Sequence, residues 1–396
     1  MDLEAIAALL TPEGWTLLES LPAYDEDDAI TLGERLRAEG HPPQLVAAAL
    51  TQAKLRQRAR TKFGPFAAGM LFTPEGLEQA TRLSVAARHA QRFSSAGIQR
   101  VADLGCGIGS DSMALATFDR EVVAVERDDV TAAVATMNLR HWPDAVVRCE
   151  DATTTDLTGI GGVFLDPARR TTTGKRLLDP KAGSPPLSFV LDLAQRVPAA
   201  GLKTAPGIPH HLVPPRTEAQ WVSVGGDVVE AALWFGLAAR EGVGRAALVI
   251  PPDGNDEAPA EVTDVGLTTP DVGDVGSVLY EPDGAVIRSG LVGQVAVAVD
   301  GRLLDRSIAY LTADRAVRTP LARAYVVEEV FPFQLKTLRT WLRDRNVGRV
   351  TIKKRGTAVE PEQLRRQLRL AGDAEATIVL TRVRGRQSVL AVRPLR

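Results

Sequence analysis

The sequence predicts an α/β protein built on a mostly parallel, doubly wound sheet, with a helical region before it and a smaller α/β domain after it. Short apolar runs that are typical of buried strands alternate with helix-like segments between residues 95 and 250. One such run, residues 101–104, leads into a glycine-rich turn and then a helix-like segment, which is how doubly wound sheets hold a ligand. From about residue 322 a compact β-α-β-α-β-β pattern begins.

The composition is that of a soluble globular protein of two or three domains. The chain has 396 residues, of which 45% are hydrophobic and 24% charged. No run approaches the roughly 20 apolar residues of a membrane span, and Asp2 and Glu4 argue against a secretory signal. Two cysteines, Cys106 and Cys149, cannot form a disulfide framework, so we expect a cytoplasmic protein. The histidines and cysteines show no metal-ligand spacing, and we expect no structural metal.

The formal net charge of −2 conceals an uneven distribution of charge. The segment from Phe331 to Arg396 contains 16 Lys and Arg against 5 Asp and Glu, a net charge of +11, so the rest of the chain is acidic. A basic domain on an acidic body is typical of a nucleic-acid binder. A solvated basic helix surface is the alternative interpretation of the same count.

The pattern divides the chain into four regions. Residues 1–94 are predicted to be helical, with a helix over Pro74–Phe93 that Thr73 caps. Residues 95–250 hold the strands and helices of the sheet domain. Residues 251–321 begin with 28 residues that contain seven acids and no Lys or Arg, which indicates an exposed insertion or linker before a connecting segment. Residues 322–396 form the small basic domain.

The glycine-rich turn at residues 101–109, VADLGCGIG, is the most informative motif of the chain. Gly105, Gly107 and Gly109 let the backbone turn tightly and approach a ligand with no Cβ in the way. A dinucleotide-binding loop would have its third glycine at position 110, where this chain has Ser110. The spacing therefore argues against a dinucleotide.

Two acids flank the same turn and indicate what it binds. Asp103 and Asp111 would disfavour a pyrophosphate, which needs positive potential at the helix N-terminus. S-adenosylmethionine carries a sulfonium and an ammonium and no phosphate, so two carboxylates suit it. The alternative is a glycine-rich turn in some other α/β protein.

Three further strands of the sheet domain end in acids, in the expected order. The strand over Val122–Val125 ends in Glu126, which is placed to bind both ribose hydroxyls of an adenosine. The strand over 146–149 is followed by Glu150, Asp151 and Ala152, and the strand over 162–165 by Asp166, Pro167, Ala168, Arg169 and Arg170. Four strand ends of this kind favour an S-adenosylmethionine site.

The small C-terminal domain carries a cluster of cations between its second strand and second helix. Lys353, Lys354 and Arg355 precede Gly356, and this arrangement could hold a phosphate backbone at close approach. A predicted turn near the end of the chain would add Arg382, Arg384 and Arg386 to the same face. These six cations are the predicted RNA-binding residues.

These residues together resemble the bacterial class I S-adenosylmethionine-dependent methyltransferases that end in a THUMP-like domain. The segments that carry the resemblance are DLGCGIG at 103–109, DPARR at 166–170, YEP at 280–282, FPF at 331–333 and KKRG at 353–356. It covers roughly residue 60 to the end. It implies a Rossmann-like, mostly parallel sheet, S-adenosylmethionine as cofactor and, because THUMP domains occur on tRNA-modifying enzymes, an RNA substrate.

The resemblance also implies residue roles. Asp151, with the backbone at Ala152, would contact the adenine amino group, beside the cofactor contacts of the glycine loop, its two flanking acids and Glu126. Asp166, Pro167 and Arg169 would form the catalytic edge that faces the methyl group and its acceptor, with Asp166 also at the cofactor. The helix before the first strand would cover the pocket, which makes Gln79 and Thr81 candidate pocket residues.

The acceptor atom is constrained by the segment that follows the fourth strand. Enzymes that methylate exocyclic amines commonly use Asp or Asn followed by Pro, Pro and an aromatic residue, whereas Ala168 and Arg169 occupy the last two positions here. Covalent methylation of uracil C5 needs a cysteine after the fifth strand, and both cysteines come earlier. We therefore expect a base nitrogen as acceptor, with Asp166 accepting its hydrogen bond or its proton. A small-molecule or protein substrate, and a non-catalytic role in binding S-adenosylmethionine or RNA, are the alternatives.

Overall fold

The computed structural model describes residues 2–167, 186–252 and 257–395. They form two compact units: residues 1–218 with 231–241, and residues 219–230 with 242–396. The helices of the first unit are α1 Leu3–Leu10, α2 Pro12–Ser20, α3 Ala29–Ala38, α4 Pro43–Phe63, α5 Pro74–Gln79, α6 Leu83–Ser95, α7 Ser110–Thr117, α8 Asp129–Asn138 and α9 Leu187–Ala194. Its strands are β1 Arg100–Leu104, β2 Glu121–Glu126, β3 Ala145–Cys149, β4 Gly162–Leu165 and β5 Ala199–Thr204, joined by the last six residues of β7 Asp227–Gly236.

The sheet of the first unit confirms the predicted fold class. Its strands lie in the order β3-β2-β1-β4-β5-β7. Strands β1 to β5 run parallel to one another, and β7 is antiparallel to β5. The carboxyl ends of β1, β2 and β4 therefore meet at one edge, where ligands bind in doubly wound sheets.

Close packing on β5 explains a glycine in the middle of that strand. A Cβ at Gly201 would lie 2.5 Å from the ring of Trp234 and 2.8 Å from that of Phe164. These two rings stack with centroids 6.1 Å apart, and both are fully buried. The sheet core thus fixes the position of the strands that carry the site.

The helical region before β1 differs from the predicted single helix over Pro74–Phe93. The chain instead forms α5, leaves the helical conformation at Ala80, and begins α6 at Leu83. The ammonium of Lys62 stabilises the break, because it donates hydrogen bonds of 2.7–2.9 Å to the carbonyl oxygens of Leu77, Glu78 and Ala80. Lys62 lies 15 to 18 residues before these carbonyl groups, so the local sequence of the predicted helix gave no sign of the break.

The second unit contains two groups of paired strands. Its strands are β6 Glu218–Val224, β8 Arg245–Ile250, β9 Ala260–Thr263, β10 Val278–Pro282, β11 Arg302–Asp305, β12 Ile308–Ala313, β13 Ala322–Pro332, β14 Val347–Lys354, β15 Ala374–Val383 and β16 Arg386–Pro394, and its helices are α10 Gly284–Ser289, α11 Val292–Ala298, α12 Leu335–Asp344 and α13 Pro361–Leu368. Strand β8 pairs with β6 in parallel and with β9 in antiparallel orientation. The remaining strands form a seven-stranded sheet in the order β11-β12-β10-β13-β16-β15-β14.

The structure has strands within residues 251–321, for which the sequence predicts an acidic insertion or linker and then a connecting segment. Strand β9 lies within the acidic stretch, and β10 joins β12 to β13 through antiparallel pairing on both sides. Tyr280 on β10 is fully buried, and its hydroxyl donates to the carbonyl oxygen of Val317 at 3.0 Å. Strands β10, β11 and β12 of this segment are thus part of the sheet that carries the C-terminal domain, whereas β9 pairs with β8. Across the described ranges, every helix is too short or too polar to cross a bilayer.

Candidate active site at the carboxyl edge of the first sheet

The glycine loop after β1 adopts the backbone that its sequence predicts. Gly105, Gly107 and Gly109 have φ angles of +83°, +56° and +87°, in the left-handed region that disfavours other residues. A Cβ at Gly105 would lie 3.1 Å from the carbonyl oxygen of Asp166, whereas a Cβ at Gly107 would meet no described atom within 4 Å. The loop thus abuts the end of β4 at Gly105, and at Gly107 it is clear of the part of the chain that the structure describes.

Glu126, at the end of β2, lies directly beside the same loop. Its Oε2 accepts a 3.1 Å hydrogen bond from the Gly107 amide, and its Oε1 accepts one of 3.0 Å from the Asp128 amide. The carboxylate is half-buried. Glu126 thus lies beside the glycine loop, and its binding of ribose hydroxyls stays a prediction.

Asp103 is fully buried and is predicted to be neutral at pH 7. The hydroxyl of Ser112 donates to its Oδ2 at 2.6 Å. Burial, with the negative charge of Asp111 as a further contribution, raises the pKa of Asp103 to about 8. Asp103 therefore adds little negative charge to the loop at neutral pH, unlike the expectation that both flanking acids attract a cation.

Asp111, on the first turn of α7, is buried and ionised. Its Oδ1 accepts a 2.7 Å hydrogen bond from Nδ1 of His89 on α6. Burial opposes ionisation, but the hydrogen bond and positive charge of His89 outweigh it, so the pKa of Asp111 is lowered. The His89 ring packs 4.6 Å from the ring of Phe164, which fixes its orientation.

Lys203 on β5 is a site residue that the sequence analysis did not identify. Its Nζ donates a 2.6 Å hydrogen bond to Oδ2 of Asp166 and one of 2.8 Å to Oγ1 of Thr81. The Lys203 side chain is 8% exposed and that of Asp166 is 25% exposed. Thr81 also donates a hydrogen bond to Asp111, which contributes to its lowered pKa. One buried polar network therefore connects the acid after β4 with the helix that follows the glycine loop.

The remaining predicted site residues that the structure describes are outside this buried hydrogen-bond network. Asp151 is exposed, and its Oδ1 accepts hydrogen bonds from the amide and hydroxyl of Thr153 at 2.8 and 2.6 Å, which lower its pKa. Ala152 and Pro167 are half-buried. Arg169 lies outside the residues that the structure describes.

The residues at this edge fit S-adenosylmethionine. Glu126 offers two carboxylate oxygens beside the loop, and no described atom lies within 4 Å of a Cβ at Gly107. Asp111, whose pKa is lowered, adds negative potential beside the glycine loop, which suits a cationic donor better than a pyrophosphate.

The predicted RNA-binding cations of the C-terminal domain lie together but are mostly paired. The loop at Gly356 and the β15–β16 hairpin are adjacent, since Gln387 Nε2 donates to the Gly356 carbonyl oxygen at 3.2 Å. Arg386 is exposed, and the Arg355 guanidinium lies 5.3 Å from the centroid of the Tyr310 ring. The other four have nearby partners: Lys353 with Glu281 at 2.7 Å, Lys354 with Glu360 at 2.6 Å, Arg384 with Asp274 at 2.9 Å and Arg382 with Ser307 at 2.8 Å. RNA binding by these six cations stays a prediction.

Comparison with known proteins supports the interpretation of the fold. The uncharacterized S-adenosylmethionine-dependent methyltransferases Rv3037c and MT3122 of Mycobacterium tuberculosis strains H37Rv and CDC 1551 are each 33% identical to the chain over 357 residues, which is 88% of this chain and 95% of theirs. A crystal structure of a protein from Porphyromonas gingivalis W83, assigned as a methyltransferase, matches with a TM-score of 0.72 at 21% identity, covering 95% of this chain and 100% of that one. The similarity to the Porphyromonas gingivalis structure shows that the two chains share a fold.

The chain therefore belongs to the S-adenosylmethionine-dependent methyltransferases, and S-adenosylmethionine is its cofactor. Two segments outside the first sheet also match families. Residues 322–394 match the THUMP domain-like family, as the sequence predicted. Residues 2–59, which include α1 to α3 and most of α4, match a domain of unknown function, DUF8688.

Proposed function

We propose that this protein transfers a methyl group from S-adenosylmethionine to a base nitrogen of RNA, with Asp166 as the residue that accepts the hydrogen bond or the proton of that nitrogen. The observation that carries the proposal is the position of Asp166. Its carboxylate is held by Lys203 at 2.6 Å, while its backbone abuts Gly105 of the cofactor loop. An acceptor bound to this carboxylate would lie beside the methyl donor.

The chemistry needs little beyond this arrangement. When bound, S-adenosylmethionine supplies an electrophilic methyl group, and transfer is an in-line displacement that depends on positioning and electrostatics. The partly exposed carboxylate of Asp166 can accept an N–H hydrogen bond from a base, and Lys203 keeps this carboxylate oriented. Pro167 and Arg169 are the further residues proposed for the acceptor side.

The cofactor contacts in this proposal come from three strand ends. The amides and open face of the glycine loop would border the methionine part of the cofactor, and Glu126 would bind the ribose hydroxyls. Asp151 and the Ala152 backbone would contact adenine. Asp103 and Asp111 flank the loop on either side in sequence. The buried hydrogen bond between Asp111 and His89 fixes the start of α7.

The RNA part of the proposal is supported by the C-terminal domain. It has the fold family of THUMP-like domains and a net charge of +11 from Phe331 to Arg396. Several of its ion pairs are solvent-exposed; the side chains of Arg384 and Asp274, for example, are 61% and 83% exposed. Exposed pairs contribute only about 0–1 kcal/mol, so an RNA phosphate can replace such an acid as the partner of the cation.

The test is incubation of the purified protein with S-adenosylmethionine labelled in the methyl group and total RNA from a strain that lacks the gene. We expect label in RNA and, after digestion, in one methylated nucleoside. The same incubation with protein extract and with a small-metabolite fraction serves as the comparison. Label confined to either of these fractions would refute the RNA proposal and leave the family assignment in place.

A further inference from the structure

Helix α4, in the first unit, carries an unusual set of charges. Its 21 residues include five cations and no acid, and all five lie in the second half of the helix: Lys54, Arg56, Arg58, Arg60 and Lys62. A solvated helix normally mixes both signs, and the acid-rich body of this chain makes the excess more notable. The charge of this helix was not recognised in the sequence analysis, which located the RNA contacts in the C-terminal domain.

Two of these five cations, Arg58 and Arg60, are exposed. The other three are partly buried and have partners: Lys54 pairs with Glu26 at 2.6 Å, Nε of Arg56 donates to the Met70 carbonyl oxygen at 2.9 Å, and Lys62 donates to the carbonyl oxygens before Thr81.

One face of α4 packs into the core through Leu55, Ala59 and Phe63, which are buried. Arg58 and Arg60 flank this buried stripe on the outer side. The short 3-10 helix that follows, Gly64–Gly69, presents Phe66 with 57% of its surface exposed. Exposed cations and exposed aromatic rings are the groups that commonly bind nucleic-acid strands.

The C-terminal end of α4 is connected to the catalytic acid by a short series of hydrogen bonds. Nη1 of Arg82 donates to the Thr61 carbonyl oxygen at 2.6 Å, and Lys62 caps the carbonyl oxygens that precede Thr81. Thr81 in turn accepts from Lys203, which holds Asp166. The basic end of α4 is therefore adjacent to the acceptor side of the site.

Positive charge accumulates at this junction. Burial, followed by the charges of Lys203 and Arg82, lowers the pKa of Lys62 to about 8. Like charges held this close are stabilised by an anion, and the flanking phosphates of a target nucleotide are the anions that a substrate would bring to this position.

We propose that the second half of α4, through its exposed cations Arg58 and Arg60 and together with Arg82, binds the phosphate backbone of the substrate RNA and guides the target base to Asp166. This inference rests on the proposed RNA methyltransferase function and gives the N-terminal region a role in substrate binding. RNA is favoured over an acidic protein because the surface leads directly to the catalytic acid.

The test compares two double variants with the same change in charge. Arg58→Gln with Arg60→Gln removes two exposed cations from the surface, and Arg35→Gln with Arg37→Gln removes two exposed cations from α3 in the same region. Binding of fluorescently labelled, unfractionated RNA from the deletion strain is measured between 50 and 300 mM salt, and binding of S-adenosylhomocysteine is measured by calorimetry.

We expect the α4 variant to bind RNA about 10-fold more weakly, with a salt slope smaller by about 1.5, since two phosphate contacts are lost. The α3 variant should match the wild type, and both should bind S-adenosylhomocysteine normally. Equal RNA binding by the two variants would overturn the inference about α4. If the wild type methylates no RNA, the proposed function itself fails, and that result is separate from the comparison between variants.

Discussion

Lys203 and Asp166 form a 2.6 Å ion pair at the ends of the adjacent parallel strands β5 and β4. A lysine with 8% of its side chain exposed needs a carboxylate partner, and Asp166 supplies one while keeping part of its own surface accessible. The pair therefore both stabilises the sheet edge and orients the acid that we propose to act in methyl transfer.

Replacing Lys203 should lower both the stability of the protein and its rate of methyl transfer. Lys203→Met leaves a partly buried carboxylate without its cation, and we expect a loss of about 2 kcal/mol in the free energy of unfolding, less than for a fully buried pair because Asp166 reaches solvent. Methyl transfer should fall at least 10-fold, measured with the labelled-RNA assay. Urea unfolding measures the first effect.

Thr81 offers a matched pair of variants for the same network. Thr81→Ser keeps the hydroxyl that bridges Lys203 and Asp111, and Thr81→Val removes it with little change in volume. We expect kcat to fall in Thr81→Val and to be nearly normal in Thr81→Ser, with similar KM values for RNA. Equal kcat values in the two variants would show that the bridge does not matter.

Gly107 should be required for cofactor binding because of the space around it. Gly107→Ala and Gly97→Ala both place a Cβ at a left-handed backbone position, with φ of +56° and +70°, where no described atom lies within 4 Å. Each should cost about 1 kcal/mol of stability. Calorimetry should show weaker binding of S-adenosylhomocysteine only for Gly107→Ala, since its Cβ projects into the proposed pocket; equal affinities would argue against that pocket.

The raised pKa of Asp103 predicts that the stability of the protein depends on pH. The pKa of this carboxyl is raised to about 8 in the folded protein, against about 4 in an unfolded chain, so between these values the folded state binds the extra proton. Stability should therefore fall as pH rises through this window, by on the order of 1 kcal/mol per pH unit. This loss of stability is absent below the pKa of Asp103 in the unfolded chain and complete above its pKa in the folded protein.

The variant Asp103→Asn tests this assignment. An amide mimics the protonated carboxyl and can still accept the hydrogen bond from Ser112, but it does not titrate. Unfolding measured at pH 6 and pH 8.5 should show a smaller decrease for the variant than for the wild type. A decrease of the same size in both would contradict the raised pKa of Asp103.

The C-terminal domain should contribute affinity for RNA rather than for the cofactor. Arg384→Gln with Arg386→Gln removes two exposed cations of the β15–β16 turn, and we expect RNA binding to weaken several-fold with a reduced salt slope. Arg288→Gln with Arg315→Gln, two exposed positions before this domain, is the matched control. If RNA binding by the two variants has the same dependence on salt, the β15–β16 turn does not contact the RNA.

Local sequence patterns were sufficient to predict the framework of the first sheet. The strand Gly162–Leu165 and the three left-handed glycines occur where the sequence predicts them, because apolar runs and glycine spacing are local signals. Lys203 was missed because its significance depends on Asp166, 37 residues away and on a neighbouring strand. Its only local signal is a single charge inside the otherwise uncharged strand Ala199–Thr204.

The other differences have the same origin in contacts between distant residues. The break between α5 and α6 depends on Lys62, and the partner of Lys353 is Glu281, 72 residues earlier. Composition alone indicated an exposed insertion or linker over residues 251–278, where the structure has strand β9 paired with β8. Pairing partners of this kind cannot be read from hydropathy or turn signals.

The most direct measurement of the central claim is the nucleoside composition of cellular RNA. RNA from a strain that lacks the gene is digested and compared by mass spectrometry with RNA from the same strain carrying the wild type or Asp166→Ala, whose folding and S-adenosylhomocysteine binding are checked separately. We predict that one N-methylated nucleoside is lost on deletion, restored by the wild type and not restored by Asp166→Ala. Identical methylated nucleosides in all strains, or full restoration by Asp166→Ala, would contradict the account.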